Sequence, residues 1–194
     1  MIVNALYNDT DKMPTGVFSE EVEHGLIPLI INKNYVVYGS TIRDGFIWYY
    51  ICDEYYSYYP AWWPSPAFEV INSQLSRYWV YSCKEEVDYI PIIAFPEWAE
   101  NPYDFYDRLT DGFNKEIEIF KRYKELMDLE FPDPSISLKA EVGDESWLLC
   151  PLCIDAWEST NKLDALVRCP KCQTIMNNPR YKIIPYAQLY KKPL

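Results

Sequence analysis

Trp147-Leu-Leu-Cys-Pro-Leu-Cys153 and, after fifteen further residues, Cys169-Pro-Lys-Cys172 are the runs on which the reading of this chain turns. A C-x-x-C turn can direct two thiolates at one ion, and two such turns complete a closed tetrahedron. The spacing assigns Cys150, Cys153, Cys169 and Cys172 to one metal site, with structural zinc as the expected cofactor. Both pairs follow short β-prone runs, Trp147 to Cys150 and Ala165 to Cys169, and a third such run covers Tyr181 to Tyr186. Taken singly, either pair also has the spacing of a redox dithiol, but that chemistry belongs in a βαβ setting, which neither run has. Two disulfides would suit an exported chain, for which there is no signal. Rubredoxin-type iron goes with a wider separation between the turns.

Over about residues 145–185 the cysteine runs, each with Pro directly after its first Cys, resemble the zinc-ribbon family with rubredoxin-like knuckles. The resemblance implies a small metal-closed module and no particular activity, since ribbons occur in enzymes, in translation and transcription factors and as structural appendages. One departure is visible. Ribbon knuckles commonly place Gly directly after the second Cys, where Ile154 and Gln173 stand here.

Upstream, Phe131-Pro132-Asp133-Pro134 has the composition of a stiff linker. Charge changes across it: residues 1–134 carry 10 Lys/Arg against 23 Asp/Glu, a net of −13, and residues 135–194 carry 8 against 6, a net of +2. The expected organisation is an acidic, aromatic-rich body over 1–134 and a ribbon module with a basic tail over 135–194. After Asp164 every charged residue is basic: Arg168, Lys171, Arg180, Lys182, Lys191 and Lys192.

The body shows both periodicities. Tyr35 to Ile42 and Phe46 to Ile51 are rich in β-branched and aromatic residues, and Arg43-Asp44-Gly45 between them predicts a three-residue hairpin loop. Phe68 to Ile71, Arg77 to Ser82 and Tyr89 to Phe95 are further strand candidates, the last pushed to an edge or a bulge by Pro91. Asn101 to Met127 has Phe105, Leu109, Phe113, Ile117, Phe120, Lys124 and Met127 at helical spacing, all apolar but Lys124, with Asn101 as cap and Gly112 as an internal cost of about 1 kcal/mol. The expected fold class is α+β: an antiparallel sheet with one long covering helix, followed by the C-terminal ribbon.

With 49% hydrophobic and 24% charged residues, the 194-residue chain has a globular composition. No apolar run approaches the ~20 residues of a spanning helix, and residues 1–8 lack the pattern of a signal peptide, so a cytoplasmic location is expected. No phosphate-binding, dinucleotide, zincin or serine-hydrolase motif occurs. The single histidine, His24, sits in no catalytic pattern. The acid runs Glu20/Glu21/Glu23, Asp53/Glu54 and Glu85/Glu86/Asp88 are normally solvated faces, and Cys52 and Cys83 are expected as small buried hydrophobes without a reactive role.

Residues 46–63 hold ten aromatics among eighteen, and from 44 to 76 there is no Lys or Arg. Strict alternation sends only half of these rings to one core face, which leaves the others for a surface. Tyr and Trp dominate binding hot spots, and interleaved acid suits a cationic protein rather than a nucleic acid. Asp53, Glu54, Trp62 and Trp63 are accordingly the candidate partner-binding residues, with a lid over the core as the competing role. Being small, acidic, aromatic-rich and without a catalytic motif, the chain looks in general character like bacterial immunity proteins that neutralise toxic nucleases. That likeness implies a basic protein partner. The alternatives are a nucleic-acid-associated ribbon protein, carried by the basic tail, and an enzyme with an unrecognised carboxylate site.

Overall fold

The computed structural model describes residues 1–14, 16–17, 25–83 and 91–182. His24, Glu20, Glu21, Glu23, Glu85, Glu86 and Asp88, the first residues of the Tyr89 to Phe95 run, most of the Tyr181 to Tyr186 run and the tail lie outside them. The fold is α+β with antiparallel sheets, and the chain divides into two compact units, Met1–Asp128 and Leu129–Leu194.

In the first unit, β1 (Ile2–Ala5), β2 (Asn34–Val36) and β6 (Phe68–Asn72) form a sheet in the order β2-β1-β6. A five-stranded sheet follows the order β5-β4-β3-β8-β7, built from β3 (Gly39–Arg43), β4 (Phe46–Ile51), β5 (Ala61–Pro64), β7 (Val80–Ser82) and β8 (Ile92–Ala94). The β3–β4 hairpin pairs Arg43 with Phe46, so its loop is the two residues Asp44-Gly45 rather than three. Both have positive φ, 51° and 79°, as a type I′ turn requires. Pro91 does not push its strand to an edge. It stands just before β8, an interior strand, and its carbonyl accepts a 2.8 Å hydrogen bond from Thr41 Oγ1.

The aromatic run of β4 is buried on both faces. Tyr49 and Ile51 join Val3, Ala5, Tyr35, Val37 and Phe68 in one core. Tyr50, on the opposite face, packs into a second core with Tyr38, Phe95, Trp98 and Phe120. Period-2 alternation therefore feeds two cores, and the aromatic density of 46–51 is a packing requirement rather than a surplus for the surface.

The single long helix of the sequence reading is broken. The helices are α1 (Pro96–Glu100), α2 (Pro102–Thr110) and α3 (Asn114–Glu130). Gly112 has φ +84°, its N–H bonds to the Leu109 carbonyl, and the Phe113 N–H bonds to the Arg108 carbonyl at 2.9 Å. These paired bonds are a Schellman stop, which ends α2 with Gly at the left-handed position. Phe113 consequently leaves the buried stripe and is 46% exposed. Asn101 precedes α2 without a side-chain capping bond, so its expected role as a cap is not met.

In the second unit, β9 (Glu141–Val142), β10 (Trp147–Leu149) and β11 (Ala156–Glu158) form one sheet, ordered β11-β10-β9. β12 (Leu166–Arg168) and β13 (Ile175–Asn177) form a hairpin. Each cysteine pair follows the first strand of a hairpin, β10 or β12. Among the described residues no helix is long and apolar enough to cross a membrane.

Candidate metal centre and partner surface

The two cysteine turns repeat one backbone geometry. In the first, Ile154 N–H bonds to the Cys150 carbonyl and Cys150 N–H to the Asp155 carbonyl, both at 2.9 Å. In the second, Gln173 N–H bonds to the Cys169 carbonyl at 2.9 Å and Cys169 N–H to the Thr174 carbonyl at 3.0 Å. Ile154 and Gln173 have φ of 60° and 62°, the left-handed conformation that glycine favours at this place in ribbon knuckles. The departure in sequence is thus no departure in geometry: two non-glycine residues adopt the strained conformation.

The turns bring four sulfurs together. Cys150 Sγ lies 3.6 Å from Cys172 Sγ, Cys153 Sγ lies 3.5 Å from Cys169 Sγ, and all four are within 4.8 Å of one another. A tetrahedral ion with sulfur bonds of about 2.3 Å separates its ligands by about 3.8 Å, so this donor set fits one thiophilic ion. Backbone N–H groups reach the second sulfur of each turn, from Asp155 to Cys153 and from Thr174 to Cys172. At Cys172 the hydroxyl and N–H of Thr174 favour the thiolate and bring the thiol down to about 6. At Cys153 the Asp155 N–H acts in the same sense, but burial and the neighbouring sulfurs outweigh it and push the thiol up to about 12. Cys150 and Cys169 are fully buried among Ala140, Leu148, Val167 and Met176, so the sulfur cluster is part of this unit's core.

Replacing Ile154 by Gly should stabilise this unit. The side chain is 71% exposed, so little packing is lost, and a β-branched residue in the left-handed region costs roughly 1–2 kcal/mol. Glycine's extra unfolded-state entropy offsets about half of that. A thermal melt of Ile154→Gly should shift upward by an amount equivalent to about 1 kcal/mol or less; a downward shift would mean that the isoleucine makes contacts worth more than its strain.

The four candidate partner-binding residues have separate surroundings. Asp53 is only 6% exposed. Its Oδ1 accepts the N–H groups of Tyr55 and Tyr56, both at 2.9 Å, and its Oδ2 accepts Trp63 Nε1 at 3.1 Å. This carboxylate organises the turn after β4 and has no free oxygen to present. Glu54 is exposed, pairs with Lys33 and accepts a 3.0 Å bond from the Tyr35 hydroxyl. Trp63 packs on the first core, whereas Trp62, on the other face of β5, lies 4.9 Å from both Trp48 and the Arg43 guanidinium. Trp62 and Arg43 line a cleft of about 240 Å³ with Thr41, Tyr50, Tyr103 and Tyr106. Within residues 46–63 the rings most open to solvent are instead Tyr55 and Tyr58, at 75% and 52%.

Burial raises the Cys52 thiol to about 12, which suppresses the thiolate and accords with the expected lack of reactivity. Cys83 is exposed, not buried as expected, because it follows the short outer strand β7. Arg180, one of the basic residues after Asp164, donates to the carbonyls of Asp144, Glu145 and Trp147. No protein-family model, no curated protein and no solved structure matches this chain.

Proposed function

We propose that this chain is a non-catalytic interaction protein in which one structural zinc ion closes the C-terminal ribbon and the acidic body docks a basic protein, as an inhibitor or immunity protein does. The observation that carries the metal reading is the closed set of four sulfurs within 4.8 Å, held by two matching turns. Four thiolates fill a zinc coordination sphere and leave no position for substrate water, which favours a structural over a catalytic ion. Support for the docking role is electrostatic: the net of −13 over residues 1–134 attracts cations and repels a phosphate backbone. The nucleic-acid alternative loses support at Arg180, whose guanidinium is committed to backbone carbonyls.

Elemental analysis of protein purified under reducing conditions should give about one zinc per chain. Substoichiometric metal, or iron with its visible absorption, would sink the zinc assignment. For the docking role, a gel-shift titration should give nucleic-acid dissociation constants weaker than about 10⁻⁴–10⁻⁶ M at physiological salt. Submicromolar binding would reverse the ranking in favour of a nucleic-acid-associated ribbon.

A further inference from the structure

The cleft beside Trp62 differs in chemistry from the acidic body around it. It lies between the five-stranded sheet and α2: Arg43 comes from β3, Tyr50 from β4, Trp62 from β5, and Tyr103 and Tyr106 from α2. Tyr50 and Trp62 are directly paired across β4 and β5, which sets their Cβ atoms about 5 Å apart on one face. Tyr106 packs edge-on against Tyr50 at 5.3 Å. The Arg43 guanidinium stands 4.9 Å from the Trp62 ring, and this contact holds its planar fork at the cleft wall.

Two polar groups of the lining are committed elsewhere. Thr41 Oγ1 donates to the Pro91 carbonyl at 2.8 Å, and the Tyr106 hydroxyl donates to the Pro60 carbonyl at 2.9 Å. Three groups are not committed: the hydroxyls of Tyr50 and Tyr103 and the terminal nitrogens of Arg43 make no hydrogen bond to any described residue. Asp44 approaches only Arg43 Nε, at 3.5 Å, and its side chain is 75% exposed. So solvated a pair competes weakly for the guanidinium. Burial pushes the Tyr50 hydroxyl up to about 12; Tyr103 adds to that rise and Arg43 opposes it, so the three groups act on one space. Free donors, one of them cationic, are the complement of an anion with several acceptor sites.

Size and charge narrow the ligand further. The cleft holds about 240 Å³. An apolar cavity of about 150 Å³ takes one benzene ring, which leaves room here for a ring and a small polar substituent. Asp107 shares the lining and residues 1–134 carry a net of −13, so a second negative charge on the ligand is disfavoured. We propose that this cleft binds a monocyclic aromatic carboxylate, its ring between Trp62 and the α2 tyrosines and its carboxylate on Arg43, Tyr50 and Tyr103. The site goes beyond the docking reading and does not depend on it. Trp62, expected as an anchor for a protein partner, is instead a wall of a small-molecule site.

The test is an amide-resolved NMR titration of the full chain with benzoate, benzamide and acetate. Benzoate should give saturable shifts centred on residues 41–43, 50, 62 and 102–107. Benzamide, which keeps the ring and loses the charge, should bind about tenfold more weakly. Acetate, which keeps the charge and loses the ring, should bind about a hundredfold more weakly. Arg43→Met preserves the stem that packs on Trp62, and should weaken benzoate about tenfold while changing benzamide less than about twofold. Tyr50→Phe removes one hydroxyl and leaves the ring packing, and should weaken benzoate about threefold. Benzamide equal to benzoate would overturn the carboxylate assignment, and acetate equal to benzoate would overturn the aromatic one. Saturable benzoate shifts elsewhere, unchanged by both variants, would overturn the cleft as the site. No saturable shift with benzoate would overturn the proposal and leave the docking reading standing.

Discussion

Cys153→Ser, or removal of the metal by a chelator, should unfold the Leu129–Leu194 unit and leave the Met1–Asp128 unit folded. The reason lies in where the sulfurs sit. Cys150 and Cys169 are themselves core residues, and few apolar side chains complete that core: Ala140, Leu148, Val167 and Met176, flanked by Leu138 and Trp157. A unit below about 70 residues with so small a core rarely supplies more than 3–5 kcal/mol from packing alone. A four-thiolate zinc site contributes on the order of 10 kcal/mol, so its loss exceeds the remaining stability. The body has its own two cores and does not draw on the sulfur cluster. Amide NMR spectra before and after chelation separate these outcomes. Signals from 129–182 should collapse toward unfolded positions while those of the body stay in place; a ribbon that keeps its dispersed signals without metal would show that its packing suffices.

The four-sulfur cluster was legible in the sequence because C-x-x-C is a local geometry, and a turn of four residues brings its own two sulfurs together wherever it occurs. The expectation that Ile154 and Gln173 depart from the family pattern was true of residue type and misleading about conformation, since the turn imposes positive φ on whatever residue stands there. The break at Gly112 was hidden by Phe113, which continues the apolar spacing of α2 into α3 although its ring faces solvent. The left-handed φ of Gly112 and the paired bonds from Gly112 and Phe113 N–H distinguish a helix stop from a tolerated glycine, and neither leaves a mark in periodicity. Asp53 was misjudged for a related reason. A charge among tyrosines looks solvated until the Tyr55 and Tyr56 amides and the Trp63 indole are seen to close on it. A further pocket in the body, lined by Glu97, Asp104 and Glu116, had no local signal at all, because its acids come from α1, α2 and α3 and meet only through the chain's return past Gly112.

Trp98→Ala should be the most damaging single substitution in the body. Trp98 is fully buried and stacks on Tyr106 at 5.7 Å and Phe105 at 5.8 Å, with Tyr50 edge-on at 4.7 Å and Phe95 at 5.6 Å. It joins α1, α2 and the helix-facing side of β4 in one aromatic cluster. Truncation to Ala leaves a cavity among rigid rings that cannot close over it, at a cost of about 3–5 kcal/mol. Against a total stability of roughly 5–15 kcal/mol, that is enough to bring the body close to unfolding at physiological temperature. The indole Nε1 is buried without an acceptor, so not all of the residue is favourable as it stands. Trp98→Phe retains most of the ring contact and removes the orphaned N–H, and should therefore cost much less, about 1–2 kcal/mol. Denaturant unfolding followed separately for the two units measures both variants. A loss under about 1 kcal/mol for Trp98→Ala would contradict the second core as described, because a cavity in a close-packed aromatic cluster cannot be that cheap. Equal losses for the two variants would place the stabilisation in the indole N–H, and so require an acceptor for it.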